Sequence, residues 1–320
     1  MISWIWIYRR LGLLTGFDWD NQHIRMLRLK YRRGEFYLYD CDEISWCDEP
    51  VSQRDSVIER YDFIEAFKRL CQAHRLRFAR IGFYLNSAQV LLKEVQKPQS
   101  SKPSEYYSRL LYELGQYGSY RADNVYLDYQ PVCNDEKSVL SSSLMMAVAK
   151  RNQVDALLNL AWNCRLRCRV VDVEALLLLR FIQRLYPDRL KSNQCFMLME
   201  YGRWAVRIHM IDDSRVYLHD QKPHELGDDV FRADISPVVL SWLKRVFKIV
   251  TLNYPQLTIK AILMYGLLAD QGRKKELEQR LPVELRLLNP FDCVICPQTM
   301  AMPEQPQQYV PLMAMATRRH

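Results

Sequence analysis

The stretch Arg169-Val-Val-Asp-Val-Glu-Ala-Leu-Leu-Leu-Leu-Arg180 constrains the fold more than any other part of the chain. The β-branched residues Val170, Val171 and Val173 predict a strand. No turn residue separates them from Ala175–Leu179, a helix-forming run without a polar side. A strand that feeds at once into a helix apolar all round requires layers packed on both sides, and therefore an α/β architecture. Asp172 and Glu174 sit at the junction, where a carboxylate can answer the dipole of the helix start.

The remaining composition limits what such a core can serve. With 320 residues the chain can bury a large interior and is expected to divide into about two domains. Hydrophobic residues at 49% and charged residues at 26% exclude disordered and fibrous classes. The net charge of +8 is spread along the chain without a basic run, so nucleic acid is not expected as a partner. Nine cysteines without a repeating spacing argue for a reducing compartment rather than a disulfide framework. The C-x-x-C of Cys293 and Cys296 has no second pair, and no metal site is expected. The amino-terminal run Met1-Ile-Ser-Trp-Ile-Trp-Ile-Tyr-Arg-Arg10 places its charges after its apolar residues, the reverse of a secretory signal. It is also too short to span a bilayer.

Periodicity then predicts the organisation. A first meander runs from Gly16 through a turn at Asp18–Gln22 to Ile24–Leu29, then past Arg33-Gly34 to Glu35–Tyr39. Asp62 and Glu65 read as a capping box for a helix carrying Phe63, Ala66, Phe67, Leu70 and Cys71 on one face. A strand-helix-strand-strand unit follows over residues 79–150, with its helix face at Tyr107, Leu110, Leu111 and Leu114. Arg165–Val170 alternates three arginines with Leu166, Cys168 and Val170. A second meander begins at Gln194, and Ser236 with Pro237 predicts a helix start after it. Two halves, each a meander with helices, suggest internal duplication.

Five tracts in order extend over nearly the whole chain: Gly16-Phe-Asp18 with Arg25 on the next strand, Tyr126-Leu-Asp-Tyr-Gln130, Val170–Leu176, Ile262-Leu-Met-Tyr-Gly266 and Asn289-Pro-Phe291. Together they resemble the PilM family of type IV pilus assembly proteins, relatives of the cell-division protein FtsA. The resemblance implies an actin-like ATPase fold: two duplicated α/β lobes around a cleft, with the strand-helix-strand-strand subdomain inserted in the first lobe. The implied boundaries are residues 1–78 and 151–190 for the first lobe, 79–150 for the insertion, 191–290 for the second lobe and 291–320 for a segment returning to the first.

In such a fold, backbone N–H groups of one hairpin turn per lobe approach the phosphates, and glycines give them room. The resemblance places Asp18, Asn21, Gln22 and Arg25 at the first turn, Glu200 and Gly202 at the second, and Gly266 at the adenosine turn. ATP with magnesium is the cofactor it implies. The residues depart from the pattern at each element. Asp20 stands where a glycine is expected, Arg203 and Trp204 bring bulk to the second turn, and Leu267 and Leu268 follow Gly266. No catalytic residue is assigned. An active ATPase or phosphotransferase of the same superfamily is the alternative, and it requires the missing glycines.

The implied function is a cytoplasmic scaffold of the pilus assembly platform, peripheral at the inner membrane through its partner. That partner is a PilN-type membrane protein held by its short amino-terminal tail, with other platform proteins and the pilus motor ATPases as further contacts. Phe83, Tyr107, Leu111 and Tyr126 are the expected walls of a peptide groove between the first lobe and the insertion.

Overall fold

The computed structural model describes residues 13–48, 57–97, 103–118, 120–132, 143–186, 190, 193–212, 215–223, 235–298 and 300–318. The amino-terminal aromatic run, Cys133, Pro187, Asp213 and Ser214 lie outside them.

In chain order the strands are β1 (Leu13–Trp19), β2 (His23–Arg32), β3 (Glu35–Ser45), β4 (Arg80–Leu85), β5 (Val90–Gln96), β6 (Val125–Val132), β7 (Ser143–Lys150), β8 (Arg167–Val173), β9 (Gln194–Tyr201), β10 (Ala205–Ile211), β11 (Val216–Pro223), β12 (Thr258–Tyr265) and β13 (Leu285–Leu287). The helices are α1 (Tyr61–Ala73), α2 (Pro103–Leu114), α3 (Arg151–Asn163), α4 (Glu174–Leu185), α5 (Pro237–Asn253), α6 (Gln271–Arg280) and α7 (Val310–Ala316). They gather into two compact units, one of Arg25–Glu43, Ala175 onward and the chain up to Asp18, the other of Trp19–Ile24 and Ile44–Glu174.

In the first unit β1, β2 and β3 are successive neighbours, as the alternation predicts. Ile295 bridges Tyr37 in parallel, so the late chain extends the β3 edge. Helix α7 lies against β1 so closely that a Cβ on Gly16 would stand 3.2 Å from the Leu312 side chain. The second sheet runs β11-β10-β9-β12-β13. Its first three strands are antiparallel, and β12 joins β9 and β13 in parallel. Helix α5 begins where Ser236 and Pro237 predict it, with the Ser236 side chain accepting from the Val238 N–H. It packs Val239, Leu243, Val246 and Val250 into one core with Met197, Met199, Ile208, Met210, Ile262 and Met264. Each such fully buried aliphatic side chain contributes about 2 kcal/mol. Helix α4 is buried at Ala175, Leu176, Leu177, Leu178, Leu179, Phe181 and Ile182, the all-round burial that its composition requires.

In the second unit β4 pairs with β8 in parallel. Helix α1 supplies an aromatic cluster in which Phe63 meets Trp19 at 5.5 Å and Trp46 at 5.7 Å. The helix begins two residues earlier than a capping box at Asp62 would start it. Arg60 is its N-cap without a side-chain bond, Asp62 lies in its first turn, and Glu65 pairs with Lys68 at 2.8 Å. The separate sheet β5-β7-β6 is antiparallel throughout. Helix α2 covers one face of it through Leu110 and Leu114, which pack on Val95, Val125, Leu144, Met146 and Val148. The strand-helix-strand-strand unit therefore starts at Val90 rather than at residue 79, because the strand before it hydrogen-bonds β8. A turn closed by an Asn86–Gln89 capping box separates the two strands. Glu174 accepts from the Ser87 N–H of that turn at 3.2 Å, which gives this buried junction carboxylate a structural partner.

Candidate functional site

The turn between β1 and β2 is closed by its own carboxylate. Asp20 Oδ1 accepts from the backbone N–H of Gln22 and of His23, both at 2.8 Å, an Asx turn. Both of these backbone donors are thereby held by a carboxylate. The other polar groups of the turn are engaged from the segment after β3. Trp46 N–H donates to Gln22 O at 2.9 Å, its indole Nε1–H donates to Asp20 O at 3.1 Å, and the Cys47 thiol donates to Asn21 O at 3.3 Å. Gln22 Nε2 donates to Asp48 O at 3.2 Å. Beyond the turn, the guanidinium of Arg25 is buried and lies between Asp18, at 3.9 Å, and Glu43, a closer partner. Asn21 and Gln22 thus share the turn, and Asp18 and Arg25 share an ion-paired cluster.

The second turn is closed by pairing and bulk. Glu200 and Arg207 face each other directly across β9 and β10 and form an ion pair. The Gly202 N–H donates to Ala205 O at 3.1 Å, leaving only Gly202, Arg203 and Trp204 at the tip. Gly266 lies against the same corner. Its φ of +102° favours glycine, and an added Cβ would stand 2.9 Å from Tyr201 O and 3.0 Å from Glu200 Cγ. Glu200, Gly202 and Gly266 are therefore brought together.

After Gly266 the chain fills space rather than opening it. Leu268 is buried in the sheet core, and its N–H donates to Tyr201 O at 2.9 Å. Asp270 caps α6 by accepting from the Arg273 N–H at 2.8 Å. The buried Arg273 guanidinium pairs with Asp270, donates to Leu268 O at 3.3 Å and lies 5.6 Å from the centre of the Tyr201 ring. Sequence reasoning did not single out Arg273. The i,i+3 spacing of Asp270 and Arg273 was its available signal.

The expected peptide-groove residues do not share a surface. Phe83 is fully buried, 5.7 Å from Trp19 and 6.4 Å from Phe67, so it belongs to the core and is no wall. Tyr107 and Leu111 are on α2, Tyr107 exposed and Leu111 packed partly against the helix-side core. Tyr126 alternates to the opposite face of β6 from Val125, Leu127 and Tyr129, which pack beneath α2. Its hydroxyl donates to Asp155 at 2.9 Å, and Arg151 lies 4.5 Å above its ring, both from α3.

A depression of about 500 Å³ beside the β3 edge is lined by Gly34, Phe36, Arg184, Asp292, Cys293 and Ile295, and it contains none of the expected site residues. Burial pushes the Cys293 thiol up to about 11, the behaviour of an inert filler. Among the described residues no three His, Cys, Asp or Glu side chains converge as metal ligands, and no helix is long and apolar enough to cross a membrane.

The model of the family described as type IV pilus assembly protein PilM matches residues 16–236. Among solved structures, the chain is similar to one from a PilM–PilN type IV pilus biogenesis complex, with 16% identity, TM-score 0.76, and 96% of this chain and 98% of that one covered. It is also similar to a Bacteroides thetaiotaomicron protein of actin-like ATPase fold and unknown function, at 12% identity, TM-score 0.52 and full coverage of both chains. A third likeness is to the cytoplasmic domain of EpsL, an inner-membrane component of the Vibrio cholerae type II secretion system, at 9% identity, TM-score 0.51, and 96% and 97% coverage. No curated protein matches the chain by sequence. These likenesses show the fold, an actin-like ATPase fold of mixed α/β layers, and the family match covering more than half the sequence shows that the chain belongs to the PilM family of type IV pilus assembly proteins.

Proposed function

We propose that this pilus assembly protein is a scaffold that binds the amino-terminal tail of a PilN-type membrane protein and whose nucleotide elements have become structural. The observation that carries this reading is the Asp20 carboxylate on the N–H groups of Gln22 and His23. A triphosphate brought to that turn meets a like charge and finds its donors already bonded. The Glu200–Arg207 pair and the leucines after Gly266 add to it, and ATP hydrolysis has no assigned base or water-orienting group. The residues present therefore do not fit Mg-ATP, and no chemical step is assigned to them.

A partner of PilN type is supported by the solved complex of the similar chain. The tail is proposed to add as a strand along β6 or β5, the two edge strands of the β5-β7-β6 sheet. Such a partner keeps the protein peripheral at the inner membrane, in reach of other platform proteins and the motor ATPases. The test is titration of the purified protein with a synthetic peptide copying that tail, with and without Mg-ATP. Saturable binding unaffected by nucleotide is expected. Binding that requires ATP would revive the nucleotide elements, and absence of binding in both cases would overturn the tail as the ligand.

A further inference from the structure

Two connections in the second unit repeat the same local structure. Helix α1 is followed by Arg75-Leu76-Arg77 before β4, and α3 by Arg165-Leu166 and then Arg167, the first residue of β8. In the first, the Leu76 N–H returns to Cys71 O and the Arg75 N–H to Gln72 O; in the second, Leu166 returns to Ala161 O and Arg165 to Trp162 O. Both are Schellman motifs, and both put arginine at the left-handed position, at φ +51° and +57°, where glycine is the usual residue. Both bury the leucine and expose the two flanking arginines.

Strands β4 and β8 are adjacent and parallel, so the two motifs stand side by side at one end of the pair. Phe78 lies between them. It too is left-handed, at φ +62°, an outlier for an aromatic residue, and its N–H donates to Arg165 O at 2.9 Å. Its ring is 52% exposed, with the guanidinium of Arg77 5.0 Å and that of Arg167 5.5 Å from the ring centre. Trp162, in the last turn of α3, is 81% exposed. Among the described residues none of these four arginines forms an ion pair. Three strained residues at one edge hold cations and an aromatic ring outward, where a fold optimised only for stability would carry glycines.

We propose that this edge, formed by Arg75, Arg77, Phe78, Trp162, Arg165 and Arg167, docks directly on an anionic phospholipid surface. Guanidinium groups match lipid phosphates in geometry and charge, and rings of this kind settle at the headgroup boundary. The choice of lipid over nucleic acid rests on the membrane-side location proposed above; the cationic edge itself does not depend on the partner tail. The contact is electrostatic and therefore weakens with salt.

The test is co-sedimentation of the full chain with phosphatidylcholine vesicles, with and without phosphatidylglycerol, in the absence of any peptide. Binding only to the anionic vesicles, reversed by high salt, is expected. The variants Arg75→Gly and Arg165→Gly restore the preferred residue at each motif, so they should melt at or above the wild-type temperature. Combined with Arg77→Gln and Arg167→Gln, they should weaken partitioning about fivefold per arginine removed. Equal binding to both vesicle types, or a folded fourfold variant that binds like wild type, would overturn the proposal. So would binding of duplex DNA without binding of vesicles. A failed tail titration leaves this result untouched, because the vesicles contain no tail.

Discussion

The β1–β2 turn and the β9–β10 turn occupy corresponding places in the two meanders, yet they are closed by different physics. At the first, a side chain of the turn itself, Asp20, satisfies the backbone donors. At the second, the tip is short, its N–H bonds across the hairpin, and the charge of Glu200 is neutralised by Arg207 on the facing strand. The two backbone donors of the first turn are held locally, by the one side chain of Asp20. The second is built into sheet register and into the contact of Gly266 with Tyr201. Damage at the second corner should therefore cost stability, whereas change at the first should be tolerated.

Gly266→Ala gives the largest expected effect. It forces a Cβ to within 2.9 Å of Tyr201 O at a positive φ, and should cost about 3 kcal/mol in urea unfolding. Acid comes next, and it too acts on the second meander. His209 and His219 stack at 4.8 Å on β10 and β11, and His209 is fully buried. Burial, followed by His219 and Arg207, holds His209 well below the usual imidazole range; burial and Arg207 lower His219 against an opposing Asp220. Their folded pKa values lie below the unfolded value of about 6.5, so the unfolded chain takes up protons first and stability falls as the pH drops through that value. Stability is therefore expected to fall as the pH is lowered through that value, and His209→Phe should flatten the profile.

Arg207→Met removes the Arg207 guanidinium from the Glu200 carboxylate, which is 13% exposed, and should cost about 1.5 kcal/mol. A double-mutant cycle with Glu200→Gln should recover part of that loss. Asp20→Gly is the smallest change, about 1 kcal/mol from the lost Asx turn. It should not by itself confer ATP binding, since the second corner stays closed. Binding by this single variant would show that the first turn alone keeps nucleotide out.

The meanders, the Ser236–Pro237 helix start and the buried α4 were legible because each is written in local spacing and capping chemistry. The pairing of β4 with β8 was not, since strand partners are set by contacts remote in sequence. Alternation placed Phe83 on one face of a strand but gave no sign that Trp19 and Phe67 cover that face. In the same way nothing local to Tyr126, grouped with Tyr107 and Leu111 as a groove wall, reveals that α2 packs on the opposite face of β6. The Asp20 substitution was visible as a missing glycine, but its role required the two N–H bonds. The ends of α1 and α3 carry arginine where glycine would have marked them, which hid the paired motifs.

The most direct test of the central claim is calorimetric titration of the wild-type protein with Mg-ATP, in the absence of any partner peptide. No saturable heat and no shift in melting temperature at millimolar nucleotide are expected. Stoichiometric binding at micromolar concentration would contradict it, because the Asp20 carboxylate and a bound triphosphate cannot share the same backbone donors.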